Sequence, residues 1–187
     1  MDRKTFMISL CSAMALGCLR AQSAPSAPAK KVLIVYFSWS GNTRGIAKKI
    51  KSITGADIAE LELEKPYSRN YNTCLDEALS DQKKRARPKL KNSFENLGDY
   101  GSILLGYPNW WASIPMPIAT FLESYDFKGK AIIPFCSHGG GRLGQSVSAI
   151  AKLCPGSPIK TPLSVHYSGG RSLAKDLDEW LTKNGLK

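Results

Sequence analysis

The feature that most constrains this fold is a regular alternation of strand-like and helix-like segments that begins at Lys31. Five segments are strand-like, and the first of them is a continuous run of β-branched and aromatic residues, as expected of a strand buried on both faces of a sheet. These predicted strands span residues 32–37, 57–63, 102–107, 131–136 and 163–167. Each is followed by a segment with helical spacing, so the pattern predicts a single α/β domain over residues 31–187.

Five predicted helices lie between or after these strands, over residues 43–53, 74–87, 115–125, 145–153 and 173–184. Pro88 and Gly185 stand where the second and the last helix are expected to end. Strict alternation predicts a five-stranded parallel sheet with helices on both faces, which is a three-layer doubly wound sandwich. Ligands of such sheets bind outside the carboxyl ends of the strands. The loops after the first, third and fourth strands are therefore the places to look for a functional site.

The loop after the first strand is rich in small polar residues and runs directly into a helix. Its residues are Ser38, Trp39, Ser40, Gly41, Asn42 and Thr43. Backbone N–H groups at a helix N-terminus attract anions, and hydroxyl and amide side chains add hydrogen bonds without adding charge. This composition favours a phosphate site over a simple helix cap, which needs only one such residue. No lysine precedes the threonine, so the loop is not the P-loop of nucleoside triphosphatases.

The loop after the third strand contains two adjacent tryptophans. Its residues are Pro108, Asn109, Trp110 and Trp111. Exposed indole rings at the carboxyl end of a strand offer a flat surface on which a planar ligand can stack. The alternative is that one indole packs into the core while the other only shields the loop. We expect at least one of the two to contact a planar ring.

The loop after the fourth strand is rich in glycine, which lets a ligand approach the backbone closely. Its residues are Ser137, His138, Gly139, Gly140 and Gly141, and it continues to Gly144. The G-x-G-x-x-G spacing resembles a dinucleotide fingerprint, but no acidic residue follows at the required distance. An esterase oxyanion loop is also disfavoured, because no G-x-S-x-G motif follows. His138 is a weak candidate for a general base, and His166, inside a strand, is expected to be structural.

Together these loops resemble those of the flavodoxins. The first ends in Gly-Asn-Thr, as the phosphate loop of that family does, and the other two look like flavin-contacting loops of a branch with a Pro-x-Trp-Trp motif. The resemblance spans residues 31–187 and implies the strand order 2-1-3-4-5, with FMN as cofactor. It implies that the phosphate lies on the first loop and the isoalloxazine between the second and third. Backbone groups of Asn109 and of residues 139–141 would hydrogen-bond the ring, and Trp110 or Trp111 would cover it.

The resemblance also implies an electron-transfer function in which the isoalloxazine carries the redox chemistry. We therefore expect no catalytic acid, base or nucleophile from the protein, and no metal ligand. Two alternatives stay open. One is an NAD(P)H-dependent FMN reductase acting on quinones or other small molecules. The other is a non-redox protein that uses the same fold to bind another ligand or partner.

The charge of the chain departs from the resemblance, because flavodoxins are usually acidic. The formal net charge is +11, from 26 basic and 15 acidic residues. The usual redox partners are therefore not carried over, and the partner stays an unknown redox protein or small molecule. The basic residues clustered over positions 83–91 favour a solvated helix face over a specific nucleic-acid site. A basic protein should also disfavour anionic reduced FMN less than acidic relatives do, which raises its potential.

The N-terminus is predicted to be an export signal. Arg3 and Lys4 precede an apolar run that is too short to span a bilayer, and an Ala/Ser/Pro-rich stretch follows. We predict a signal peptide over residues 1–23 and a linker over 24–30, which implies a periplasmic or cell-envelope location. The residues before Cys18 also resemble a lipoprotein box, which would make Cys18 a lipid anchor. Arg3 and Lys4 also fit a modified twin-arginine signal, and these alternatives stay open.

Three cysteines, Cys74, Cys136 and Cys154, lie in the predicted domain. An odd number without CxxC spacing argues against a disulfide framework or a metal site. We expect buried free thiols. A Cys136–Cys154 bridge stays open at this point, because an oxidising compartment permits it.

Overall fold

The computed structural model describes residues 31–187, and the predictions made for residues 1–30 lie outside that range. The strands are β1 Lys31–Tyr36, β2 Asp57–Glu60, β3 Tyr100–Pro108, β4 Ala131–His138 and β5 Leu163–His166. The helices are α1 Asn42–Thr54, α2 Tyr71–Lys84, α3 Met116–Ser124, α4 Ser146–Leu153 and α5 Leu173–Lys183. Every predicted strand and helix is thus present at its predicted place in the chain.

The five strands form one parallel sheet in the order β2-β1-β3-β4-β5. This confirms the predicted 2-1-3-4-5 order. In the register of the sheet, Ile34 of β1 lies beside Leu104 of β3, which in turn lies beside Ile133 of β4. The carboxyl ends of β1, β3 and β4 therefore meet at one edge of the sheet, and their loops are brought together there.

Each face of the sheet has its own apolar core. On one face, Ile34 and Leu104 pack with side chains of α1 and α5, such as Ile46 and Leu177. On the other face, strand side chains such as Leu105 pack with residues of α3 and α4. Burying such a side chain fully contributes about 1.5–3 kcal/mol. The sheet is therefore fixed on both faces, and the loops at its carboxyl edge stand on a rigid support.

The second strand is shorter than predicted. We expected it to run through residue 63, but β2 ends at Glu60 because the chain then leaves the sheet. Leu63 instead forms an antiparallel bridge with Leu90, and the Lys91 N–H donates to the Glu62 carbonyl over 2.8 Å. A partner nearly thirty residues along the chain therefore decides where β2 ends, and periodicity alone does not reveal it.

The second helix begins three residues earlier than predicted, at Tyr71, because the Asn70 side chain caps it. The Asn70 amide oxygen accepts from the Thr73 N–H over 3.1 Å. The helix ends at Lys84, and Arg85 follows with a positive φ of 52°. None of the helices among residues 31–187 is long and apolar enough to cross a membrane.

All three cysteines of residues 31–187 are buried free thiols, as expected, and Cys136 and Cys154 are not bridged. Burial raises the pKa of Cys136 to about 12 and that of Cys154 to about 11. At neutral pH these thiols stay protonated, so they pack as small apolar groups rather than as nucleophiles.

Candidate functional site

The loop after β1 bends so that its backbone N–H groups converge. Gly41 adopts a positive φ of 93°, a conformation that costs glycine little. The Ser38 Oγ accepts from the Gly41 N–H over 3.2 Å and from the Arg44 N–H over 3.3 Å. Both donors lie at the start of α1, where the helix dipole adds positive potential. An oxygen atom of an anion would meet the same donors that hold the Ser38 hydroxyl.

The cation nearest to this loop is engaged elsewhere. The Arg44 guanidinium donates to both carboxylate oxygens of Glu60, over 2.8 and 2.5 Å, and the hydrogen bonds raise the pKa of Arg44. Tyr36 donates its hydroxyl to the same carboxylate over 2.9 Å. Burial, reinforced by Glu60, raises the pKa of Tyr36 to about 12. Any anion at the first loop would therefore meet mainly neutral donors.

Thr43 connects the first loop to the end of β4. Its hydroxyl lies 2.8 Å from the Ser137 hydroxyl, and both side chains are buried. Of the three hydroxyl residues predicted in the first loop, only Ser40 is exposed. The Thr43 and Ser137 hydroxyls thus hold two loops together, in addition to any contact with a ligand.

Trp39 and Asn42 complete the first loop. The Trp39 indole N–H donates to the Ser68 carbonyl over 2.9 Å, and its ring lies 6.1 Å from that of Tyr71. Trp39 therefore fixes the first loop against the segment that leads into α2. Asn42 is the first residue of α1 and is partly exposed.

The loop after β3, which follows Pro108, makes a tight turn at its tryptophans. Trp110 and Ser113 exchange backbone hydrogen bonds of 3.1 and 3.0 Å. Between them, Trp111 and Ala112 both have positive φ, 48° and 59°. Two consecutive residues of this kind are typical of a type I′ turn, which usually contains Asn or Gly. The turn is therefore held against the local preference of its residues.

The two indoles have different surroundings. Trp110 is partly buried and packs edge-on against Phe37 and Tyr67, with ring centroids 5.5 and 5.2 Å away. Trp111 is 45% exposed, and its indole N–H donates to the Leu75 carbonyl of α2 over 3.0 Å. Trp110 therefore packs against the core, whereas Trp111 stays exposed at the turn.

The loops after β3 and β4 are in direct contact. The Asn109 side-chain amide donates to the Gly141 and Arg142 carbonyls over 3.1 and 2.6 Å. Gly144 has a φ of 51°, and a Cβ at this position would lie only 2.4 Å from the Ala112 carbonyl oxygen. The Asn109 amide therefore connects the two loops between which the isoalloxazine is predicted to lie.

The loop after β4 presents its backbone to solvent. Gly139, Gly140 and Gly141 are exposed, and the Gly140 N–H donates to the His138 Nδ1 over 3.0 Å. Within residues 31–187, the Gly139 and Gly141 N–H groups donate to no other residue. The pKa of His138 is lowered, first by burial and then by His166 and Arg142. These surroundings therefore disfavour the charged form of His138.

A cleft of about 1060 Å³ opens between the loops after β4 and β5, and we refer to it as the β4–β5 cleft. Its lining includes His138, Arg142, His166, Tyr167 and Asp176. We expected His166 to be structural, but the residue is exposed at the carboxyl end of β5. Tyr167 is a lining residue that we did not predict. An aromatic residue that follows a strand and precedes a Ser-Gly-Gly turn was the available signal for this cleft.

Comparisons with known proteins agree with this architecture. A family model described as flavodoxin matches residues 31–184. The crystal structure of a candidate flavoprotein from Bacteroides eggerthii is 30% identical, with a TM-score of 0.71, and the match covers 84% of this chain and 99% of that one. A candidate flavoprotein from Bacteroides uniformis is 28% identical, with a TM-score of 0.71 and coverage of 83% and 99%.

A third solved structure, that of a flavoprotein in complex with FMN from Lactobacillus acidophilus, shares the fold. It is 24% identical with a TM-score of 0.66, and the match covers 81% of this chain and 99% of that one. A search of curated proteins gives no match.

Proposed function

The chain belongs to the flavodoxin family, and on that premise we propose that it binds one FMN at the carboxyl edge of its sheet and transfers electrons through it. The FMN complex of the Lactobacillus acidophilus flavoprotein, which has the same fold, supports the choice of cofactor. When bound, FMN supplies the redox chemistry, and the protein supplies binding, orientation and electrostatics.

The observation that carries this proposal is the geometry of the first loop. The N–H groups of Gly41 and Arg44 point at one oxygen, that of Ser38, at the start of a helix of 13 residues. Ser40 is exposed beside them. These neutral donors fit a terminal phosphate, because the backbone N–H groups at a helix N-terminus stabilise negative charge without a cation.

The third loop fits the other end of the cofactor. The exposed N–H groups of Gly139 and Gly141 have no partner among residues 31–187, so they are available to the polar edge of an isoalloxazine. Asn109 already donates to the Gly141 carbonyl, which fixes this loop against the second one. We propose that these backbone groups orient the ring and that Trp111, the exposed indole of the pair, is the one available to cover it.

The first test is the visible absorption spectrum of the purified protein before and after addition of FMN. We expect flavin bands that stay with the protein through gel filtration, and a rise in its thermal unfolding temperature. A colourless protein that neither retains FMN nor is stabilised by it would overturn the proposal. Anaerobic photoreduction of the loaded protein then tests electron transfer, and potentiometric titration tests whether the positive charge of the chain raises the potential.

A second test isolates the contribution of the FMN phosphate to binding. Ser40→Asp places a carboxylate beside the predicted phosphate, so FMN affinity should fall by at least about tenfold, or about 1.4 kcal/mol. Affinity for riboflavin, which lacks the phosphate, should change little. Ser52→Asp is the matched control, because Ser52 is an exposed serine near the opposite end of α1. Equal losses for FMN and riboflavin would place the phosphate elsewhere.

Two further parts of the proposal need their own measurements. Oxidation of NADH or NADPH by the loaded protein alone would indicate a reductase rather than an electron carrier.

The proposed export of the protein is supported by the pattern of residues 1–23. Cell fractionation tests it, and mass spectrometry of the mature N-terminus distinguishes cleavage after Ser23 from lipidation of Cys18.

A further inference from the structure

We propose that the β4–β5 cleft binds a planar aromatic redox compound that carries an anionic group. The inference rests on the proposed function, because the cleft shares the glycine loop with the predicted flavin site. His138 and Arg142, which line the cleft, stand immediately before and after residues 139–141. A compound in this cleft would therefore lie next to the loop that is proposed to orient the isoalloxazine.

Aromatic rings form one part of the cleft. The His138 and His166 rings lie 5.6 Å apart on neighbouring strands, and the Tyr167 ring lies 4.4 Å from that of His166. Tyr167 is 55% exposed. Its ring also approaches the backbone of Gly139 so closely that a Cβ there would lie 3.4 Å away. The cleft thus offers a ready surface for a flat ring beside the glycine loop.

Backbone contacts hold Tyr167 in this position. Its φ is 50°, a conformation that tyrosine rarely adopts, and its N–H donates to the His138 carbonyl over 2.8 Å. Such strain is usual where a side chain is fixed for a purpose other than packing. Since Tyr167 is 55% exposed, burial does not account for the fixed position of its ring.

The cleft contains one arginine that is available to an anion. Arg142 is exposed, and within residues 31–187 its guanidinium makes no hydrogen bond or ion pair. The one acidic residue of the lining, Asp176, accepts a hydrogen bond from the Ser172 hydroxyl over 2.9 Å. Among the described residues, neither the Tyr167 hydroxyl nor the His166 ring is hydrogen-bonded through its side chain. The cleft therefore offers unused donors around a cation.

A compound with a planar ring and an anionic group would contact both the aromatic rings of the cleft and Arg142. Two sources of this chemistry are a sulfonated or carboxylated quinone, which would accept electrons, and a reduced nicotinamide nucleotide, which would donate them. An aliphatic anion would use only Arg142, and a neutral quinone would use only the rings. Binding measurements with these four kinds of probe therefore separate the contributions.

The test is calorimetric titration of the FMN-loaded protein with anthraquinone-2-sulfonate. We expect saturable binding that is weaker for a neutral anthraquinone and weaker still for methanesulfonate. Arg142→Gln should raise the dissociation constant of the sulfonate by about fivefold and leave that of the neutral quinone unchanged. Tyr167→Asn, which tolerates a positive φ, should weaken both aromatic probes. If NADH competes with the sulfonate for the cleft, the occupant is an electron donor. If NADH does not compete, the occupant is an electron acceptor.

Arg85→Gln is the matched control, because Arg85 is also an exposed arginine of positive φ but lies outside the cleft. It should bind the sulfonate as the unchanged protein does. The inference would be overturned if the Arg142→Gln variant bound the sulfonate as tightly as the unchanged protein, or if the charged and neutral quinones bound with equal affinity. If FMN is retained in these experiments, the proposed function still stands. Failure to retain FMN would overturn the proposed function and, with it, the redox assignment of the cleft.

Discussion

The loops after β1 and β3 are both predicted to contact a flavin, yet different forces determine their conformations. In the first loop the bend comes from its own residues, because Gly41 accepts a positive φ and the Ser38 hydroxyl holds the N–H groups that follow. In the second loop Trp111 and Ala112 adopt positive φ at a cost of about 1–2 kcal/mol each. Contacts from α2 and from the loop after β4 hold them there.

The conformation of one loop is thus determined by residues close in sequence, and that of the other by contacts with distant parts of the chain. The bend of the first loop is specified by residues within six positions of one another, so a sequence motif describes it well. The second loop depends on the Leu75 carbonyl, which accepts from the Trp111 indole, and on Gln145, whose N–H donates to the Ala112 carbonyl over 2.7 Å. We therefore expect a substitution that breaks a distant contact of the second loop to lower the free energy of unfolding more than a matched substitution within the first loop does.

The largest expected effect comes from Gly144→Ala. The new methyl group would meet the Ala112 carbonyl oxygen at 2.4 Å, and alanine would also be strained at the positive φ. We expect a loss of about 2–4 kcal/mol in the free energy of unfolding, measured by urea denaturation. Gly41→Ala is the matched change in the first loop, where the nearest atom would lie 3.8 Å away. It should cost only about 1–2 kcal/mol. Equal losses would remove the distinction between the two loops.

The next effect concerns a buried tertiary contact of the first loop. Thr43→Val removes the hydroxyl that lies 2.8 Å from that of Ser137, and it leaves a buried polar group without its partner. We expect destabilisation by about 1–3 kcal/mol. The double variant with Ser137→Ala should cost clearly less than the sum of the two single changes, because their coupling is about 0.5–2 kcal/mol. Additive losses in a double-mutant cycle would mean that the two hydroxyls do not stabilise each other.

A smaller effect is expected at the exposed indole. Trp111→Phe removes the hydrogen bond to the Leu75 carbonyl, which should lower the free energy of unfolding by about 0.5–1.5 kcal/mol. Trp39→Phe is the counterpart in the first loop, because it removes a bond of 2.9 Å to the Ser68 carbonyl. The Trp111→Phe variant should in addition show faster hydrogen exchange at Trp110 and Ser113, whose mutual hydrogen bonds close the turn. Unchanged exchange there would show that the turn does not need its contact with α2.

The same distinction explains how much the sequence predicts. The strands and helices follow from strand-like segments that alternate with helical ones, and these signals are contained in each segment. The strand order comes from the resemblance of the loops to those of the flavodoxins. The predicted end of β2 was wrong, because Leu63 pairs with Leu90, a residue that belongs to another part of the chain. The bend at Gly41 follows from local residues. The surroundings of Trp110 and the exposure of His166 and Tyr167 depend on neighbours that only the folded sheet brings together.

The smallest effect tests the loop after β4, where local and tertiary contacts act on one side chain. The His138 pKa lies below its ordinary value of 6.5, because burial, His166 of the neighbouring strand and Arg142 of its own loop all disfavour the charged ring. As the pH falls below about 6.5, the unfolded chain therefore takes up a proton at His138 before the folded chain does. Protonation thus favours unfolding, so the stability that the neutral His138 ring contributes is present above that pH and is lost below it. His138→Gln should reduce the fall in stability between about pH 7 and pH 5. His166→Gln, which removes the neighbouring imidazole, should raise the His138 pKa in an NMR titration. An unshifted value would show that His166 has no influence on this loop.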